Sequence, residues 1–176
     1  MVDYIALLRG VNVGGITVRS ADLRELFEGL GFGGVRTVLA SGNVVFESSA
    51  KESHGALKAR IEQGLRDRFD YDAWIVLVTR DELARAVDDF PFDAEDERRQ
   101  PWVIFASDSA VIEELVAFAG EADPDVDPIA QGEGVVYWNP VKGTTVDTAF
   151  AKLLAKTRFK PTTTNRNLRT LRKMLG

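Results

Sequence analysis

Short apolar runs alternate with longer stretches of helical spacing along the first half of the chain. Tyr4-Ile5-Ala6-Leu7-Leu8 reads as a strand. Leu23, Leu26, Phe27 and Leu30 then recur on one face, predicting a helix with Ser20 as its N-cap and Gly31 near its end. Val35–Leu39 and Val44–Glu47 are β-rich runs joined by the turn signal Ala40-Ser41-Gly42-Asn43. A second helix is marked by Leu57, Ile61, Leu65 and Phe69, and Trp74–Val78 is a fourth strand. The order is βαββαβ within residues 1–79, which predicts a ferredoxin-like subdomain with one sheet face under two helices and the other face available.

A connection follows over 80–100. Arg80–Asp89 is helical, Phe90-Pro91-Phe92-Asp93 breaks it, and Glu95–Gln100 is polar and exposed. The pattern then repeats: a strand at Trp102–Phe105, a helix over Ser109–Ala119, and an acidic, proline-containing loop at Asp123–Pro128. A weak strand near Ile129, a strong one at Val135–Trp138, a helix over Thr145–Lys156 and a short extended piece around Pro161–Thr163 complete it. A basic helix, Arg166–Leu175, ends the series. The expected fold class is therefore α+β: two ferredoxin-like (βαββαβ) subdomains in tandem plus a basic C-terminal helix. The boundaries are 1–79, a linker at 80–100, a second α/β subdomain at 101–163, and 164–176. Trp74, Trp102 and Trp138 all fall in strand-like runs and are expected in the core.

Composition narrows the chemistry. The chain has 176 residues, enough for one large or two small domains, and no cysteine. Disulfides, thiolate metal sites and cysteine nucleophiles are thereby excluded. His54 is the one histidine and sits in a polar helix start, where a solvated role is expected. No cofactor and no metal site are expected. The N-terminus lacks a basic leader and no apolar run reaches a membrane-spanning length, so a cytoplasmic protein without a membrane partner is expected. Residues 81–133 carry 16 acidic and 3 basic side chains, whereas 151–176 carry 8 basic and none acidic. That asymmetry predicts either internal pairing or an anionic partner for the basic end, with internal pairing or solvation favoured.

Candidate site chemistry gathers in three places. Leu8-Arg9-Gly10-Val11-Asn12-Val13-Gly14-Gly15 follows the first strand; its glycines allow close backbone approach and its arginine offers a planar donor fork for phosphate or carboxylate. Ser41-Gly42-Asn43 opens the third strand, which lies antiparallel to the first in the expected topology, so the two turns share a sheet edge. Thr162-Thr163-Thr164-Asn165-Arg166-Asn167-Leu168-Arg169-Thr170 precedes the last helix, whose N-terminus can be capped or can hold an anion. Neither a P-loop nor a Rossmann fingerprint is present.

Taken together, Leu8–Gly15, Ser41-Gly42-Asn43-Val44-Val45-Phe46 and Thr164-Asn165-Arg166-Asn167 resemble the hallmark motifs of the bacterial domain of unknown function 1697 family, in order and spacing across nearly the whole chain. Leu168 stands where that family usually has Trp, which keeps an apolar anchor and removes a stacking surface. The resemblance implies an α+β fold with ferredoxin-like subdomains and carries no activity.

Three functions remain open on the sequence. The first is binding of a small anion, with a nucleotide among the options, by Arg9, Asn12, Gly14, Gly15, Ser41, Gly42, Asn43, Arg166, Asn167 and Thr170. The arginines would clamp the charge and the asparagines would orient the ligand. Whether a reaction follows is left open, because the carboxylates available as a base, Asp3, Glu47 and Asp147, lie outside the motifs. The second is single-stranded nucleic-acid binding on the open sheet face, weighed against a pI near 5.0 and few strand aromatics. The third is a protein–protein interaction module.

Overall fold

The computed structural model describes residues 1–9, 17–39, 42–49 and 51–176. It divides into two compact units, 1–83 with 173–176, and 84–172.

In the first unit the order is β1 (Val2–Arg9), α1 (Ser20–Gly29), β2 (Gly33–Thr37), β3 (Asn43–Ser48), α2 (His54–Phe69), β4 (Trp74–Thr79) and the start of α3 (Arg80–Asp88). Its four strands form one antiparallel sheet in the order β2-β3-β1-β4. Tyr4, Ala6 and Leu8 of β1, Val44 and Phe46 of β3, and Ile75 and Leu77 of β4 meet Leu23 and Phe27 of α1 and Leu57, Ile61 and Leu65 of α2. The period-2 and period-3.6 patterns therefore converge on one core. Ser53 caps α2 by accepting from the Ala56 N–H. The N-cap of α1 is Arg19, not Ser20. Arg19 is extended, its carbonyl accepts the Leu23 N–H, and its side chain pairs with Asp22 in the first turn.

The second unit repeats this connectivity with β5 (Trp102–Ala106), α4 (Ser109–Phe118), β6 (Ile129–Gln131), β7 (Val135–Trp138), α5 (Ala149–Leu154), a 3-10 turn (Thr157–Phe159) and β8 (Thr163–Asn167). Its sheet order, β6-β7-β5-β8, is the same permutation as in the first unit. The last helix, α6 (Leu168–Leu175), is divided between the units, 168–172 belonging to the second and the remainder to the first. Two expected helices are shorter than their patterns. Thr148 caps α5 by accepting from the Ala151 N–H, so that helix begins after the turn at 144–147. The final helix begins at Leu168 because 163–167 pair along β5, which carries Arg166 into a strand.

The second face of each sheet is not open, contrary to expectation. Ile5, Leu7, Val45 and Val76 are buried there in the first unit, as are Val103, Phe105, Val135 and Tyr137 in the second. In the second unit α3 supplies part of the cover: the Tyr137 hydroxyl donates to the Ala86 carbonyl at 2.7 Å, and the Phe90 ring meets Tyr137 edge-on. Of the three tryptophans only Trp138 is fully buried; Trp74 and Trp102 are half-buried.

One buried carboxylate organises the second core. Asp127 ends the acidic loop, accepts from Trp138 Nε1 at 2.8 Å and from the Phe150 N–H at 3.2 Å, and so ties β7 to the first turn of α5. Replacing it leaves two buried donors without an acceptor, at about 1–3 kcal/mol each. Asp127→Ala should lower the folding free energy by about 3 kcal/mol, read from the urea midpoint, with Asp127→Asn between it and the wild type.

Candidate functional site

The end of β1 is where the first unit changes from core to charge. Five consecutive buried residues, Tyr4 to Leu8, are followed by half-buried Arg9. Alternation puts Arg9 on the face away from α1 and α2, because Tyr4, Ala6 and Leu8 point toward those helices. Removal of solvent pulls the Arg9 guanidinium below its usual pKa, since burial penalises the charged form. Arginine keeps its charge at neutral pH all the same, so this is a partly desolvated cation.

The expected meeting of two turns at this edge holds for their described residues. Leu7 pairs with Asn43, and the Leu8 N–H donates to the Gly42 carbonyl at 2.8 Å. Gly42 has φ +78°, a conformation that suits glycine. Asn43 is fully buried, and its amide donates to the Val38 carbonyl at 2.9 Å, so its nitrogen closes the β2–β3 turn. Leu39, in the same turn, is half-exposed at φ +57°, a left-handed conformation that is costly for a bulky side chain. Asn12, Gly14, Gly15 and Ser41 lie outside the described residues.

The C-terminal motif belongs to the second unit. Arg166 is buried on β8, opposite Val103, and its Nη1 donates to Thr164 Oγ1 at 2.6 Å and to the Asn165 carbonyl at 2.9 Å. Asn167 Oδ1 accepts from the Arg169 N–H at 3.0 Å, so the first turn of α6 is capped by the side chain that precedes it. Thr170 lies in that turn, half-buried. Basic residues near this end pair within the unit, Arg158 with Glu114 and Arg172 with Glu95, which bears out the internal-pairing alternative for these two.

Within the first unit the candidate bases do not gather at Arg9. Asp3 and Glu47 face each other across β1 and β3, six residues from Arg9 along the strand, or roughly 20 Å. Asp147 is in the second unit. His54 is exposed and its ring contacts the Leu77 carbonyl at 2.8 Å. Among the described residues no cluster of histidine and carboxylates suited to a metal is present, and no helix is long and apolar enough to cross a membrane.

One residue beside the site escaped the sequence reading. Trp74, the first residue of β4, pairs directly with Arg9 and shares its face. It is half-buried, and nothing in the apolar run that contains it singles it out from its buried neighbours.

A family model described as "Protein of unknown function (DUF1697)" matches residues 1–137. The chain belongs to this family. The match runs from β1 through the turn before β3 and into β7. Among solved structures, the conserved bacterial protein SP0830 from Streptococcus pneumoniae superposes with a TM-score of 0.80 at 23% identity, covering 98% of this chain and 96% of that one. At that identity the likeness shows a shared fold. No curated protein matches the chain.

Two tyrosines give this DUF1697 chain a pH signature. Burial pushes the hydroxyls of Tyr71 and Tyr137 up to about 12, with Asp89 adding to the shift at Tyr137. Unfolded tyrosine ionises near 10, so above that pH the unfolded chain holds fewer protons than the folded one and stability falls as pH rises. The melting temperature should decline from about pH 10 toward pH 12, and Tyr137→Phe should flatten part of that decline.

Proposed function

We propose that the chain is a cytoplasmic binding protein for a small phosphate- or carboxylate-bearing anion, held at the end of β1 by Arg9. The observation that carries this reading is the placement of Arg9, half-buried where β1 stops, next to the Leu8–Gly42 hydrogen bond and the Asn43 turn. A planar donor fork in a low-dielectric setting forms strong charge-assisted hydrogen bonds with an oxyanion. Gly42 contributes close backbone approach. Asn12, Gly14, Gly15 and Ser41 join the proposed site through their chemistry and their places in the sequence. The scaffold in this reading is a pair of ferredoxin-like subdomains, which the repeated βαββαβ order and matching strand permutation support.

Binding is supported over catalysis, because Asp3 and Glu47 stand roughly 20 Å along β1 from Arg9. The nucleic-acid alternative is weakened because Tyr4 and Phe46, the aromatics of the first and third strands, stack on each other inside the helix-covered core.

A thermal-shift screen with inorganic phosphate, nucleoside monophosphates and small carboxylates tests the reading. A ligand at one hundred times its Kd adds about 2.7 kcal/mol, a rise of several degrees. The rise should vanish in Arg9→Ala and persist in Arg24→Ala, a control at an exposed helix position. Equal shifts in both variants would place any anion elsewhere.

A further inference from the structure

We infer that the anion carries a planar aromatic ring, and that Trp74 is the surface on which the ring stacks; this rests on the anion reading for Arg9. The two residues are a directly opposed cross-strand pair, Arg9 closing β1 and Trp74 opening β4. Their neighbours Leu8 and Ile75 belong to the helix-covered core, so Arg9 and Trp74 share the opposite face. Directly opposed residues of an antiparallel pair have Cβ atoms about 5 Å apart. A cationic fork and an indole at that spacing match a ring joined to a phosphate or carboxylate through a short link, and a bare anion would use only one of the two.

The position of Trp74 sharpens the argument. Inside the strand, Ile75, Val76 and Leu77 are buried. Trp74 instead sits at the sheet end, half-buried, at the level where Gly42 turns into β3. Indole is sequence-tolerant as a stacking partner because any flat ring presents a π-face, and such stacking contributes about 1–3 kcal/mol per ring, or roughly five- to a hundredfold in affinity. The guanidinium is itself planar and tolerates an adjacent aromatic face.

Calorimetric titration of the full chain with two matched pairs tests this: AMP against ribose 5-phosphate, and benzoate against acetate. In at least one pair the ring-bearing member should bind about tenfold tighter, the first pair assigning a phosphate and the second a carboxylate. Trp74→Leu should erase that advantage while leaving the ringless anion unchanged, and Trp74→Phe should keep most of it. A Trp74 that is merely structural would lower the melting temperature without altering the ratio. Ringless anions binding as tightly as their partners in the wild type would overturn the inference and leave the anion reading standing. Loss of both members to the same extent in a folded Trp74→Leu would do the same. No binding by any of the four compounds would overturn the anion reading and this inference with it.

Discussion

The structure depends on its two central strands. β1 pairs with β3 on one side and β4 on the other, and β5 with β7 and β8. Each is covered on both faces, so every backbone N–H and C=O along it must find a strand partner and every side chain must be able to leave water. Tyr4 through Leu8 meet that demand with five residues, and Val103 to Phe105 with three. The same constraint fixes where a site can be. On β1 a charged side chain comes where the buried run ends, at Arg9.

Physical consequences follow from that placement. Strand ends are where turns bring backbone groups together, and here the third strand begins beside the end of the first, linked by the Leu8 to Gly42 hydrogen bond. Arg9 is thus held on a strand, a placement that would reduce the entropy lost on holding the proposed ligand. Asn43 uses its amide to close the β2–β3 turn and Asn167 uses its oxygen to cap α6. These two motif asparagines therefore have structural work that the sequence alone does not separate from ligand contact.

What was legible in the sequence follows the same physics. β1, β4 and β7 were readable because their residues are consecutive and apolar, as strands enclosed on both faces require. β8 was not: Thr163-Thr164-Asn165-Arg166-Asn167 is polar throughout, and it becomes a strand because β5 offers it a ladder. Asp127 was hidden for a related reason, since a buried acceptor in an acidic loop looks like its solvated neighbours until Trp138 and Phe150 are seen to donate to it. The pairing of the first and third strand ends was legible from topology. The half-burial of Trp74 was not, because an apolar run does not reveal which of its residues lies at the rim of the sheet.

The proposed role of Arg9 as anion anchor is tested most directly by an NMR titration of the arginine Nε–H signals with inorganic phosphate, assigned by comparison with Arg9→Lys. The Arg9 Nε–H resonance should move downfield and saturate, while the signals of exposed arginines such as Arg24 stay in place. An Arg9 signal that does not move while other arginines respond would contradict it.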